Sequence, residues 1–207
     1  MSQEQNKAVF DSGRQVEIKL QSAEGTKIVK VRFPTDEEWT ERQRRRKIII
    51  KQLGRGVSET VIPDSQDTDA ALLAKLRIGE GPEVDGFEAT RILEQLGQAD
   101  VDDVIPEGGT FRVLTRVPGG LTTHTLRMPS AKDVIEYRRA FARILDLPFN
   151  KQELTVNLGA AGTLYQKLCQ GTEGYAGAVP IIHQAVAVKA TIDALEAGFQ
   201  EDRPANF

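Results

Sequence analysis

Histidine and cysteine are almost absent from this chain, which has two of the former and one of the latter in 207 residues. These residue types supply most nucleophiles, proton shuttles and soft metal ligands, so their scarcity removes many catalytic chemistries at once. His124, His183 and Cys169 would suffice on paper for a Cys–His nucleophilic pair or three ligands of a zinc site. No Cys-x-x-Cys or His-x-x-x-His spacing supports either, and each is expected to be a satisfied or exposed side chain, with Cys169 a small apolar core residue. A lone cysteine cannot close an intramolecular disulfide, which fits a reducing compartment. No metal, no cofactor and no catalytic residue are expected, and the chain reads as a non-enzyme.

Long apolar runs are lacking too. None approaches the roughly 20 residues that cross a bilayer, and the polar start Met1-Ser2-Gln3-Glu4-Gln5-Asn6-Lys7 has no signal-peptide core. The expectation is a cytoplasmic protein without membrane contact. An excess of either charge is missing as well: 27 basic and 30 acidic residues leave a net −3, so any attraction to nucleic acid must be local. The glycine-rich pieces Gly54-Arg55-Gly56 and Gly79-Glu80-Gly81 lack the Gly-Lys-Ser/Thr of a phosphate loop and read as helix ends.

What is present is a balance of 40% hydrophobic and 28% charged residues, that of a folded chain. Alternation at 16–20 and 28–33 predicts a β-hairpin. Pro34 stops the second strand, Thr35 caps a helix with Glu38 at capping-box spacing, and the helix is expected over 36–53. The order returns with strands at 110–117 and 122–128 about the turn Pro118-Gly119-Gly120, then Pro129-Ser130 and a helix over 131–145. At an offset of 95, Arg32 meets Arg127, Pro34 meets Pro129 and Thr35 meets Ser130. A second block aligns at an offset of 92, Leu72, Lys75, Leu76 and Gly79 meeting Leu164, Lys167, Leu168 and Gly171. Further helices are expected over 86–96 and 179–197, and exposed connections over 57–68 and 100–109. The fold class is therefore α+β, a tandem duplication of a β-hairpin followed by amphipathic helices. Its divisions are an N-terminal tail 1–13, a first unit 14–107, a second unit 108–199 and a C-terminal tail 200–207. A four-stranded sheet combining both hairpins would suit this layout.

The candidate binding residues are arginines. Arg42, Arg44, Arg45, Arg46 and Lys47 crowd one predicted helix, behind Glu37, Glu38 and Glu41 at ion-pairing distance. They spread around the helix, and no aromatics are interleaved to stack bases. A solvated or partner-binding helix is the leading reading, and nucleic-acid binding by the basic helix at 42–55 is the alternative. Arg32 and Arg127, each just before a strand-ending proline, are candidate anchors for a partner's carboxylate. Their plainer role is pairing with the first turn of their own helix, through Glu37 or Asp133.

The junctions Val31-Arg32-Phe33-Pro34-Thr35 and Leu126-Arg127-Met128-Pro129-Ser130, with Gly174-Tyr175-Ala176-Gly177-Ala178-Val179-Pro180, resemble uncharacterised structural and tail-assembly proteins of tailed bacteriophages. The resemblance covers about half of the chain and carries no functional residue across. It implies a virion component or an assembly chaperone that works through protein partners, with possible oligomers, in the host cytoplasm or the particle.

Overall fold

Alternation in the first hairpin buries one face of a two-stranded antiparallel sheet. Strands β1 (Gln15–Ser22) and β2 (Gly25–Arg32) set Ile18 opposite Val29 and Val16 opposite Val31, and Ile18, Leu20, Val29 and Val31 are buried together. The computed structural model describes residues 10–22, 25–46, 48–54, 57–61 and 65–201. Thr35 caps helix α1 (Asp36–Arg45) as expected: its hydroxyl accepts from the Glu38 amide, and the Glu38 carboxylate accepts from the Thr35 amide.

That helix does not continue to residue 53. Arg46 is extended, and Ile48-Ile49-Ile50 opens strand β3 (Ile48–Gly54), where β-branched side chains are at ease. Strand β4 (Val57–Val61) and helix α2 (Gln66–Leu76) replace most of the exposed loop expected over 57–68, whose residues 62–64 lie outside the described ones. Gly54 therefore ends a strand and not a helix. Helix α3 (Gly86–Leu96) has the expected bounds and a capping box from Asp85 and Glu88.

The expected linker at 100–109 is strand β5 (Asp100–Glu107) with its turn, and Pro106 is tolerated because β5 lies at a sheet edge. Strands β6 (Thr110–Val117) and β7 (Gly120–Arg127) form the second hairpin, and helix α4 (Ala131–Phe141) follows. The helix expected to reach 145 stops at Phe141, and the chain enters strand β8 (Ala142–Leu147) and strand β9 (Lys151–Val156). Helix α5 (Leu158–Leu168), strand β10 (Cys169–Glu173) and helix α6 (Ile181–Glu201) complete the described chain. Strand β10 follows Leu168 directly and is paired to β7.

The fold is α+β, with antiparallel sheets of order β1-β2, β10-β7-β6-β5 and β4-β3-β9-β8. Among the described residues no sheet contains both long hairpins, so the four-stranded arrangement that would have suited the layout is not the one adopted. The short hairpins β3-β4 and β8-β9 are the ones that join, through β3 against β9. The compact units accordingly differ from the sequential pieces 14–107 and 108–199. One comprises residues 12–97 with 139–159, and the other residues 1–11, 98–138 and 160–207. In the first, α2 and α3 pack on the β1-β2 hairpin; in the second, α6 packs on β5 and β6.

Each pass along the chain runs hairpin, helix, hairpin, helix. After α2, Arg77 bridges Val31 of β2; after α5, Cys169 pairs with Leu126 of β7. Leu126 and Cys169 stand 95 and 92 residues after Val31 and Arg77, the two offsets read from the sequence. No helix among the described residues is long and apolar enough to cross a membrane.

Candidate functional site

The candidate arginines at 42, 44, 45 and 46 each stand beside a carboxylate of this chain. Arg42 lies inside its unit at 6% exposure. Its Nε and one terminal nitrogen donate to the two carboxylate oxygens of Asp69 at 2.8 and 2.9 Å, and its guanidinium sits 5.7 Å from the Trp39 ring centre. A bidentate buried pair of this kind ties α1 to α2, and with its guanidinium buried against Asp69 Arg42 is withdrawn from the exposed candidate surface. Arg44 and Arg45 share Glu41 at 3.4 and 2.7 Å, and both are exposed. Arg46 is half-buried beside Glu94 at 3.6 Å, and burial holds its pKa below the usual arginine value. Lys47 lies outside the described residues.

Arg32 and Arg127 follow the plainer of their two readings. Arg32 donates two bonds, at 2.8 and 2.7 Å, to the carboxylate of Glu38, where the sequence had suggested Glu37. Glu38 is also the capping-box residue, so one carboxylate closes the strand end and the helix start together. The Arg32 bonds push the Glu38 pKa down and the Arg32 pKa up. Arg127 stands 3.3 Å from Asp133, which also accepts from the amide and the hydroxyl of Ser130. Lys167 of α5 pairs with the other Asp133 oxygen, and these bonds, that of Lys167 foremost, hold the Asp133 carboxyl far below its ordinary value.

The two histidines, assigned no role from spacing, meet in the core of the other unit. His124 of β7 and His183 of α6 are both at 0% exposure. His124 Nδ1 and the Tyr165 hydroxyl of α5 lie 2.8 Å apart, and His124 Nε2 is 3.1 Å from the Thr115 hydroxyl of β6. Tyr175 Oη bridges the imidazoles, 3.3 Å from His124 Nε2 and 3.3 Å from His183 Nδ1, and accepts from Thr122 at 3.2 Å. Phe10 packs edge-on against His183 at 4.8 Å between ring centres. Burial lowers the pKa of His124 to about 4; burial, then the charge of His124, lowers that of His183 to about 3. Both rings are therefore neutral at pH 7, in a buried network that links β6, β7, α5 and α6. Cys169 is half-exposed on β10, not the buried apolar residue expected, and its Sγ lies 3.8 Å from the Gly171 carbonyl oxygen. Among the described residues no group of three His, Cys, Asp or Glu side chains is placed to hold a metal ion.

The feature the sequence reading missed is the β8-β9 hairpin. β8 forms one edge of its sheet, with β9 on one side only. Ile144 and Leu145 are 59% and 49% exposed, and Phe149 at the tip is 90% exposed. Phe149 and Asn150 adopt left-handed backbone with φ of 63° and 54°, so a bulky apolar residue holds an unfavourable conformation while presenting its ring to solvent. Turn chemistry in Leu147-Pro148-Phe149-Asn150, flanked by segments of strand length, is the signal that could have found it.

Comparison with protein-family models, with curated proteins and with solved structures gives no match to this chain.

Proposed function

We propose that this chain is a non-enzymatic structural or assembly protein of a tailed-phage or phage-derived particle, acting through protein–protein contacts, and that its two passes of hairpin and helix are a tandem duplication. The observation that carries the binding role is the β8 edge. Its unpaired main-chain groups, two half-exposed branched apolar side chains and a strained, solvent-facing Phe149 form a surface that folding leaves unsatisfied. A strand or apolar pocket of a neighbour would cover it. The duplication is supported by the recurring element order and by the two bridges at corresponding positions. The phage class rests on the junction motifs quoted above.

On the nucleic-acid alternative, Arg42 is committed to Asp69 and Arg45 to Glu41, which leaves α1 without a continuous track of free cations. The test is expression of the tagged full chain together with the proteins that its neighbouring genes encode. A particle or tail subunit should co-purify, and Ile144→Lys with Leu145→Lys should abolish the association while the chain stays folded. A solitary monomer with every neighbouring gene product would refute the reading.

A further inference from the structure

The β8 strand brings with it a second arginine that the sequence had left on a helix. Arg143 of β8 and Arg44 of α1, nearly a hundred residues apart, line one cavity of about 380 Å³ inside a single compact unit, with Thr40, Phe141, Thr155 and Val156 among its walls. Its lining includes no carboxylate. The Arg143 guanidinium has no ion pair or hydrogen bond among the described residues, and Arg44 holds Glu41 only at 3.4 Å, a carboxylate already taken by Arg45 at 2.7 Å. Two arginines thus line a space whose walls carry no anion, and planar donors of this kind are matched by a bidentate oxyanion.

We infer that this cavity is a carboxylate-binding site that takes an acidic side chain from a protein partner. The occupant rests on the assembly reading; the site itself does not. Two features favour a carboxylate on a hydrocarbon stem over a nucleic-acid phosphate. Phe141, Val156 and Ala140 give the cavity apolar walls that a stem would cover. Two arginines, with no continuous track of free cations beyond them on α1, suit a single oxyanion better than the successive phosphates of a polyanion. The position also suits a strand laid along the β8 edge, since Arg143 belongs to that edge.

The test uses the full chain labelled with ¹⁵N and follows the arginine Nε–H signals during separate titrations with succinate, inorganic phosphate and a single-stranded oligonucleotide. Succinate should shift Arg44 and Arg143 together and saturably, in the millimolar range. Arg44→Gln or Arg143→Gln should each weaken binding about tenfold, the loss of one charge-assisted contact, while Lys132→Gln in the other unit changes nothing. Absence of a saturable shift at these two arginines would overturn the site. Phosphate or oligonucleotide binding there more tightly than succinate would overturn its assignment to carboxylates. Succinate binding in a chain that associates with no partner would sustain the site and refute the assembly reading, so the two failures are distinguishable.

Discussion

Acid should weaken the unit that holds the two histidines well before its carboxylates titrate. His124 and His183 have folded pKa values of about 4 and about 3, both below the ordinary imidazole value of 6.5, because burial disfavours the charged ring. A lowered folded pKa means that the unfolded chain binds more protons throughout the interval. The stability from keeping the rings neutral is thus complete above pH 6.5 and is lost as the pH falls toward 4 and then 3. For His124 alone the whole interval is worth about 3 kcal/mol. Between pH 6 and pH 5, where most carboxylates stay ionised in both states, the two rings together should cost about 2 kcal/mol. Urea unfolding followed by far-ultraviolet circular dichroism at a series of pH values measures that slope. The two imidazole signals in the proton spectrum, followed over the same range, report the folded pKa values directly. His183→Phe leaves one titrating ring and should halve the slope, whatever it does to absolute stability. Flat stability from pH 6 to 5, or an imidazole signal titrating near 6.5 in the folded protein, would refute the reasoning.

Other perturbations follow from the same geometry. Arg42→Ala strands the Asp69 carboxylate in the core and should cost about 3–5 kcal/mol by urea unfolding, whereas Arg42→Met combined with Asp69→Leu should recover most of that loss. Thr35→Ala removes one side of the α1 capping box and should cost about 1 kcal/mol, seen as a lowered melting temperature. Gly86→Ala places a methyl group 2.6 Å from Gln66 Cβ, so α2 and α3 must separate, and a loss of about 1–3 kcal/mol is expected despite the better helix propensity of alanine. Ile144→Lys and Leu145→Lys, both exposed, should change the melting temperature little, since exposed sites shift stability by about 0.5 kcal/mol or less.

The sequence by itself determined those elements whose information is local. The alternation at Val16 to Leu20, the proline and the capping box at Thr35 and Glu38, the tight turn at Pro118-Gly119 and the amphipathic stretch from Gly86 to Leu96 each act within a few residues, and each has the expected kind of structure. The bridges of Val31 with Arg77 and of Leu126 with Cys169 are themselves 95 and 92 residues apart, the offsets at which the sequence blocks match. Tertiary structure alone decided the rest. Residues 48–54 and 142–147 follow helices in amphipathic, charge-rich sequence, and they become strands because each finds a partner strand; β3 pairs with β9 across about a hundred residues of chain. The roles of the arginines were decided in the same way. A guanidinium is equally fit for a partner or for a carboxylate of its own chain, and only the approach of Asp69 buried Arg42, while only the strand form of β8 set Arg143 beside Arg44. The histidines, without any motif, became the centre of a core because β7, α5 and α6 converge on them. Short-range chemistry was legible in the sequence because its partners are sequence neighbours, and the candidate site was not because its two cations become neighbours only when the chain folds.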